Sequence, residues 1–379
     1  MNGYLSFEND KITDLSTSVP KKSDIIKDFG DLMILPGIID IHNHGYGGWS
    51  MTDPATVEDI KGFAKVLPSI GVTGVLPTAK EDAFEAIARC MEIDYEGARI
   101  LGIQSEGPFW ARGGEHSVDE NYPLPDIEET ERLLKRAHDK IVIMAIAPEL
   151  PNAHEVIRYL HQKNVFVALC HTGGFAQDVY DAIDQAGIDL ITHTGNGMRG
   201  IHHRDVGTLG ACLLSEGLYY EIITDLNHIC LDMIRIMFRM QPYEKFILIS
   251  DSNYIAGLPL GNYMRYGRMM VSHESGLIKD LNGRICGSGK YVLFNMKQLV
   301  EKLNVSLTDV SKMASLNPAR FLKIDQQTGS LEVGKAADLM VIDDAFVCHK
   351  TYVKGILAFE IESIKNILNL EALKRRVAD

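Results

Sequence analysis

The sequence predicts an α/β fold in which eight parallel strands close into a (β/α)8 TIM-type barrel. A small β-sandwich domain built from both chain ends is expected beside it. Two observations lead to this prediction: short apolar, β-branched runs recur eight times between residues 38 and 251, and helical stretches lie between most of them. Strands and helices that alternate at this spacing form parallel βαβ units, and eight such units favour a closed barrel over an open sheet.

The candidate strands are short and mostly apolar, as expected for buried strands. They lie at residues 38–44, 72–78, 100–106, 141–147, 165–171, 190–193, 219–225 and 246–251. The candidate helices between them lie at residues 55–67, 82–93, 127–138, 153–162, 176–185 and 231–240. Residues 254–283, rich in Gly, Tyr and Met, are expected to form an insertion or small hairpin, and a helix is expected at 291–303.

The two ends of the chain are expected to form the second domain. Residues 1–35 are polar and short-patterned, and residues 331–342 are typical of a turn followed by a strand. These early and late β segments can pair while the barrel is inserted between them. We therefore predict a small β domain made of residues 1–36 and 336–379, and a barrel domain at residues 37–335.

Composition restricts the class of protein. A chain of 379 residues can bury a large core, and 46% hydrophobic with 23% charged residues is ordinary for a globular protein. The net charge of -13 argues against a nucleic-acid or anionic-membrane partner, although a local basic pocket for a phosphate remains compatible with it. A small-molecule substrate is the expected partner.

Cysteine usage and the N-terminus both favour the cytoplasm. The six cysteines are scattered without a C-x-x-C pair, which is typical of reduced thiols rather than a disulfide framework or a sulfur metal site. Residues 1–14 lack a secretion signal, and no run of about 18 apolar residues could span a membrane. Cys170 beside His171 could be a nucleophile, but a small buried residue is the simpler interpretation.

Two histidines separated by one residue follow the first candidate strand. Residues 38–41 are apolar, and His42 and His44 come directly after them. Side chains at i and i+2 of a strand point to the same face, so both imidazoles can be aimed at one point. Neutral imidazole is a common ligand of zinc and iron, so this motif is half of a metal site unless both histidines are simply polar strand-end residues.

The other strand ends supply further candidate ligands. Chemistry in a (β/α)8 barrel takes place at the C-terminal ends of the strands. Those ends carry His42, His44, Glu106, His171, His193, His228 and Asp251. Each alone could be a capped or solvated polar residue, but together they predict a metal site. The ligand types suit Zn or Fe(II), with Mn or Co also open, and one or two ions.

This ligand set predicts hydrolysis of C–N bonds. A metal held by imidazoles and a carboxylate keeps a position open for water and lowers the pKa of that water toward about 7. Asp251, at the last strand, could take the proton of the water and return it to a leaving group. Asp251 could also be a further metal ligand or a cap, and these roles do not exclude one another.

Several longer motifs add a family resemblance that covers nearly the whole chain. They are Pro-Gly-Ile-Ile-Asp at 36–40, Glu-Gly-Pro-Phe at 106–109, residues 193–198, His-His-Arg-Asp-Val-Gly at 202–207, Asp251 with Ala-Gly-Leu-Pro at 256–259, Gly287 with Ser288, Asn-Pro-Ala-Arg at 317–320, and 329–339. On these residues the chain resembles the amidohydrolase superfamily and, within it, the N-acetylglucosamine-6-phosphate deacetylase family. The last segment is shared by many amidohydrolases, whereas Glu-Gly-Pro-Phe and His-His-Arg are far more specific to this deacetylase family.

The resemblance implies roles for the matched residues. Glu106, His171 and His193 would be the principal metal ligands, and His42 and His44 would supply a second ion bridged through Glu106. Asp251 would be the catalytic acid/base, and His116 would help polarise the acetyl carbonyl. The implied substrate-binding residues are Glu115, His116, Asn196, Gly197, Arg204, His228, Ile285, Cys286 and Gly287.

The resemblance also implies a homodimer, because Arg204 would reach the active site of the neighbouring subunit. Arginine is suited to bidentate contacts with phosphate. The alternative is a solvated surface cation in a basic run.

The implied reaction is removal of the acetyl group from N-acetylglucosamine-6-phosphate, which releases glucosamine-6-phosphate and acetate. Departures from the family pattern at 104–105, 173–175, 194–198 and 226–227 touch the substrate walls, so a galactosamine-type substrate stays open. Other rivals are a cyclic amidase, a deaminase, a D-amino-acid deacylase and an inactive sugar-phosphate-binding barrel. The fourth strand ends without the lysine that often bridges two metals in cyclic amidases, and retention of every ligand argues against an inactive barrel.

Overall fold

A parallel eight-stranded sheet forms the centre of the protein in a computed structural model that describes residues 3–19, 25–113, 121–265, 267–374 and 376–377. Its strands are β1 (Ile38–Asn43), β2 (Val72–Ala79), β3 (Ile103–Ser105), β4 (Ile141–Ile146), β5 (Phe166–Leu169), β6 (Leu190–Ile191), β7 (Tyr219–Ile222) and β8 (Phe246–Leu248). They pair in chain order, and a short strand, Arg99–Ile100, adds to β2. The predicted barrel is confirmed.

The barrel closes between β1 and the residues that follow β8. Asn43 and Ser252 form a parallel bridge, and the Asp251 N–H donates to the His42 carbonyl over 2.9 Å. Buried Asp40 accepts from the Ser250 hydroxyl over 2.6 Å and from the Ser250 N–H over 3.2 Å. Burial raises the pKa of the Asp40 carboxyl. The seam of the barrel is therefore held by polar side chains as well as by backbone bonds.

Within the described residues, eight helices follow the strands on the outside. They are α1 (Val57–Val66), α2 (Glu81–Cys90), α3 (Ile127–Arg136), α4 (Ala153–Gln162), α5 (Ala176–Gln185), α6 (Gly207–Leu214), α7 (Leu231–Met240) and α8 (Val292–Leu303). Local signals explain several helix starts: Thr56 and Asp59 form a reciprocal capping box on α1, and Asp126 caps α3. The sequence prediction missed α6, which is almost entirely buried and so lacks an amphipathic period.

The barrel interior is apolar up to the ends of the strands. Its core includes Ile39, Ile41, Leu76, Ile143, Ala168 and Ile247. A short helix, Asn317–Phe321, covers the N-terminal end, where Phe321 packs against Phe166 and Tyr219 at ring-centroid distances of 4.7 and 5.3 Å. It follows the helical segments Leu307–Ser311 and Lys312–Leu316. The opposite, C-terminal end is left for polar residues.

Both chain ends contribute to one antiparallel sheet. The strands Met33–Pro36, Leu339–Ile342, Cys348–Val353 and Ile356–Glu360 form it, and the hairpin Tyr4–Glu8 with Lys11–Ser16 lies near it. Leu339, Val341 and Tyr352 form a small core with Leu5 and Ile34. The domain boundaries given above remain a prediction.

A third sheet is the insertion after β8. It contains Asn262–Arg265, Arg268–Ser272, Leu277–Asp280 and Ile285–Ser288, and Arg376–Val377 near the C-terminus pairs with its first strand. The C-terminal segment thus leaves the small β domain and returns to the barrel side, where the Asn369 N–H donates to the Gly47 carbonyl. Among the described residues, no helix is long and apolar enough to cross a membrane.

Candidate active site

The site is built where strands end at the C-terminal mouth of the barrel. His171, His193 and Asp251 each stand a few residues beyond a strand, with φ values of 45°, 28° and 47°. Non-glycine residues seldom adopt this left-handed region. The chain thus turns sharply at these three residues, which brings their side chains over the mouth of the barrel.

One half of the site is centred on Glu106. Its Oε1 lies 2.9 Å from His193 Nε2 and 3.1 Å from His171 Nε2. We call Glu106, His171 and His193 the first half-site. Cys170 Sγ lies 3.7 Å from the same oxygen, and burial together with the charge of Glu106 raises the thiol pKa well above its usual value. A neutral thiol is a poor nucleophile, so Cys170 fits the interpretation of a small buried residue.

The second half-site consists of His42, His44 and Asp251. Asp251 Oδ1 lies 3.3 Å from His44 Nε2 and 3.5 Å from His42 Nε2, and the two Nε2 atoms are 3.3 Å apart. Glu106 Oε2 is 3.1 Å from His44 Nε2. Glu106 therefore directs one carboxylate oxygen at each half-site, which is the geometry of a bridging ligand.

In both histidines of the second half-site, the Nδ1 atom forms a hydrogen bond with a group outside the half-site. His44 Nδ1 lies 3.1 Å from the Thr78 carbonyl, which can only accept, so Nδ1 carries the proton. His42 Nδ1 lies 2.9 Å from Glu221 Oε2. The Nε2 atom of each ring is left to face the carboxylates.

The donor atoms fit a divalent cation. The ligand atoms of each of two groups lie within 4.8 Å of one another: Glu106, Cys170, His171 and His193 in one, and His42, His44 and Asp251 in the other. The two Nε2 atoms, 3.3 Å apart, and the carboxylates of Asp251 and Glu106 beside them can all contact one positive charge. Imidazole with carboxylate is a ligand set for zinc and non-haem iron.

The electrostatics at the barrel mouth favour a positive charge there. Burial disfavours the charged form of His42, but Glu221, Asp251 and Glu106 outweigh it and raise the pKa of His42 to about 10. The same balance, with hydrogen bonds to Asp251 and Glu106, raises the pKa of His44 to about 9. Burial opposes ionisation of Asp251, yet both histidines lower its pKa to about 2. The site attracts positive charge strongly.

His228 stands at the end of the β7 segment with a fixed orientation. Its Nδ1 lies 2.8 Å from Asp225 Oδ2, and Asp225 also accepts from the His228 N–H and the Ser288 hydroxyl. Burial would lower the pKa of His228, but Asp225 raises it. Its Nε2 is buried and has no partner among the described residues. This nitrogen is available to a bound molecule.

Two glycines approach the site too closely for any other residue. A Cβ on Gly287 would lie 2.6 Å from the Asp251 carbonyl, and one on Gly197 would lie 3.0 Å from His171 Nδ1. Both have positive φ, 77° and 62°. Asn196 lies beside them and donates from Nδ2 to the His193 carbonyl over 3.0 Å. The strand Ile285–Ser288, with Cys286, is tied to the site because the Ser288 N–H donates to the Asp251 carbonyl.

Arg204 has no contact with this cluster among the described residues. Arg204 is exposed on the loop before α6, where its N–H donates to His202 Nδ1 over 3.3 Å. No ion pair holds its guanidinium within the described part of the chain. Glu115 and His116 lie outside the described residues.

Sequence reasoning missed residues that support the ligands. Glu221 contacts His42, Gln104 contacts Glu221, and the Trp110 ring lies on His171 with centroids 4.3 Å apart. For Glu221 a signal existed, since a carboxylate inside an otherwise apolar strand is rarely buried without a partner. The others carry no such signal.

Comparison with known proteins identifies the family of this chain. The amidohydrolase family model matches residues 33–358. The chain is 34% identical to the N-acetylglucosamine-6-phosphate deacetylase of Vibrio furnissii, over 87% of this chain and 84% of the relative. It is 32% identical to the N-acetylgalactosamine-6-phosphate deacetylase of Escherichia coli O157:H7, over 86% and 88%. The solved N-acetylglucosamine-6-phosphate deacetylase of Pasteurella multocida superimposes with a TM-score of 0.86 at 26% identity, over 94% and 95%.

The chain belongs to the amidohydrolase family, whose members are metal-dependent hydrolases. The resemblance to the N-acetylglucosamine-6-phosphate deacetylase family is also confirmed. The cluster at the barrel mouth is a possible metal-binding cluster.

Proposed function

We propose that this chain is a metal-dependent deacetylase that converts N-acetylglucosamine-6-phosphate and water to glucosamine-6-phosphate and acetate. The observation that carries the proposal is the pair of half-sites that share Glu106 at the barrel mouth, in a chain 34% identical to such a deacetylase. The relatives give no support to a D-amino-acid deacylase, a deaminase or an inactive barrel. The galactosamine-type relative keeps the other sugar as the second candidate.

The metal is proposed to be zinc or iron(II), with one ion in each half-site. Glu106, His171 and His193 would hold the first ion, and His42, His44 and Asp251 the second, with Glu106 between them. When bound, such a cation lowers the pKa of water and withdraws charge from a carbonyl oxygen.

Asp251 is proposed to move the proton. A carboxylate is ordinarily ionised at neutral pH, so Asp251 Oδ1 can accept a proton from the attacking water. The water oxygen bonds to the acetyl carbon, the C–N bond breaks, and Asp251 returns the proton to the departing nitrogen. His116 is proposed to polarise the acetyl carbonyl, and Glu115 to contact the substrate.

The sugar phosphate is proposed to lie on the polar rim of the site. His228 Nε2, Asn196 and the Gly197 backbone would contact it, with Ile285, Cys286 and Gly287 along one wall. Arg204 would supply the charge for the phosphate from the partner subunit of a homodimer, which its exposed and unpaired guanidinium within the described chain allows. Six free cysteines, all in the described residues, support a cytoplasmic location.

Replacement of Arg204 with methionine is expected to raise KM for the phosphorylated sugar about 10- to 100-fold, because a charge-assisted contact contributes about 1.5–3 kcal/mol. The kcat value should change little, since the phosphate is remote from the reacting amide. Steady-state kinetics would test this, with Arg235→Met on the outer face of α7 as the matched control. An unchanged KM would contradict the role.

Mixed dimers distinguish which subunit supplies Arg204. Co-expression of Arg204→Met with Asp251→Asn leaves one complete site only if Arg204 acts across the interface. Recovery of low-KM activity in the purified hybrid supports that arrangement. A hybrid that stays as poor as its parents means that Arg204 serves its own subunit.

Acetate release tests the function itself. Metal-loaded enzyme would be given N-acetylglucosamine-6-phosphate, N-acetylgalactosamine-6-phosphate and unphosphorylated N-acetylglucosamine, each with and without a chelator. We expect chelator-sensitive turnover of the first. Preference for the second would reassign the sugar, and no turnover of either phosphate would reject the proposal.

A further inference from the structure

Glu221 is a fully buried carboxylate in the middle of β7, with 0% of its surface exposed. The neighbouring residues Tyr220 and Ile222 are buried as well. Charged groups are almost never buried at such a position without partners, because desolvation is costly. The partners of Glu221 therefore indicate what it does.

Three donors surround this carboxylate. Oε2 lies 2.9 Å from His42 Nδ1 and accepts from the His193 N–H over 3.1 Å, and Oε1 accepts from Gln104 Nε2 over 3.3 Å. The backbone N–H can only donate, and an ionised carboxylate can only accept. This pattern assigns the Nδ1 proton of His42 to the bond with Glu221.

The orientation of the Gln104 amide is fixed independently. The Asn43 N–H donates to Thr78 Oγ1 over 2.9 Å, and the Thr78 hydroxyl in turn donates to Gln104 Oε1 over 2.9 Å. With its oxygen held by Thr78, Gln104 must direct its NH2 group toward Glu221. The series of hydrogen bonds from the Asn43 N–H through Thr78 and Gln104 to Glu221 thus runs in one donor-to-acceptor direction.

The two half-sites are joined through this one oxygen. Glu221 Oε2 bonds a ring atom of His42, in the second half-site, and the backbone of His193, in the first. Ligating histidines commonly donate their other ring nitrogen to a carboxylate, which fixes the tautomer and raises the basicity of the ligand. His42 has this support, and it leaves Nε2 directed at Asp251.

We propose that Glu221 is a positioning residue for metal binding. It holds the Nδ1 proton of His42, which leaves His42 Nε2 to bind a metal ion in the second half-site. This inference rests on the metal-dependent function proposed above. It predicts that two ions bind. It also predicts that the affinity for the ion of the second half-site depends on Glu221 more than the affinity for the ion of the first half-site does.

The test is a metal titration of Glu221→Gln. Glutamine keeps the shape of the side chain, but its NH2 group must face at least one of three donors. We expect the affinity for one ion to fall about 10- to 100-fold, the usual cost of losing such a support, while the other ion is retained. Ions per protomer and their dissociation constants would be measured by elemental analysis and calorimetry with zinc, in the full-length protein.

Two further variants separate positioning from a general loss of structure. Asp189→Asn removes a carboxylate that accepts from the Val167 N–H near the opposite end of the barrel, and it should leave both ions bound. Thr78→Val removes the hydroxyl that orients Gln104 and that accepts from the Asn43 N–H, and it should weaken the same ion as Glu221→Gln does, by a smaller factor.

Two results would overturn the inference. One is a wild-type protein that binds a single ion under saturating metal, and the other is a Glu221→Gln variant that binds both ions with unchanged affinity. If Glu221→Gln fails to fold, Thr78→Val provides the test. Selective loss of one ion in Thr78→Val supports the inference, and retention of both ions with unchanged affinity overturns it. These readouts do not use substrate, so a wrong sugar assignment would leave them unaffected.

Discussion

An Asp251→Asn enzyme is expected to release acetate about 10²- to 10⁴-fold more slowly than the wild type, the range that loss of a general acid/base usually costs. Asparagine cannot accept the proton of the attacking water or return it to the nitrogen. The first half-site does not include Asp251, so its ion should stay bound.

The experiment pairs acetate release with metal analysis. Asp184→Asn, on the exposed side of α5, is the matched control and should keep both activity and ions. Undiminished turnover in Asp251→Asn would refute the acid/base role. Because Asp251 is also a proposed ligand of the second ion, loss of that ion together with activity would attribute the lost turnover to the metal rather than to proton transfer.

A Glu106→Gln enzyme is expected to lose both ions and to fall to background activity. Glu106 contacts ring nitrogens in both half-sites, through Oε1 to His171 and His193 and through Oε2 to His44. Glutamine keeps one acceptor oxygen but not the negative charge. Loss of a residue that only hydrogen-bonds a metal ligand costs about 10- to 100-fold in metal affinity. Loss of a ligand shared by both half-sites should lower the affinity of each half-site by more than that.

Glu149→Gln gives a matched control at the same end of the barrel. Glu149 accepts from the Thr172 hydroxyl over 2.7 Å and from the Gly173 N–H over 2.6 Å, next to His171 but without a bond to its ring. Elemental analysis should find both ions in this variant and neither in Glu106→Gln. Two tightly bound ions in Glu106→Gln would exclude a bridging role.

The barrel was predictable because its signals are local. Each strand is a short apolar run, and the polar residue that follows it is visible in the same few positions, as at His42 or Asp251. Because a parallel barrel brings all the C-terminal strand ends to one mouth, the residues at those ends can be predicted to lie together even when no side-chain contact is known. Helix α6 was missed for the opposite reason, since a helix buried on all sides has no polar face to reveal its period.

The supporting residues could not be found in this way. Glu221 and His42 are 179 positions apart, and Glu221 lies inside a strand rather than at its end. Which carboxylate orients which ring depends on the register between strands. The pairing of Arg376–Val377 with the insertion sheet is equally non-local, and nothing in so short a segment predicts its partner.

The closing seam of the barrel has a consequence for folding. Asp40 and Ser250 are 210 positions apart, and the Asp251 N–H bonds the His42 carbonyl at the same place. Contacts between such distant residues carry a large loop-closure entropy and are intrinsically slow to form. A cation held by both His42 and Asp251 would therefore stabilise the closure between the first and last strands. A ligand that binds only the closed barrel stabilises it by mass action. Removal of the metal should therefore lower the stability of the folded chain as well as its activity.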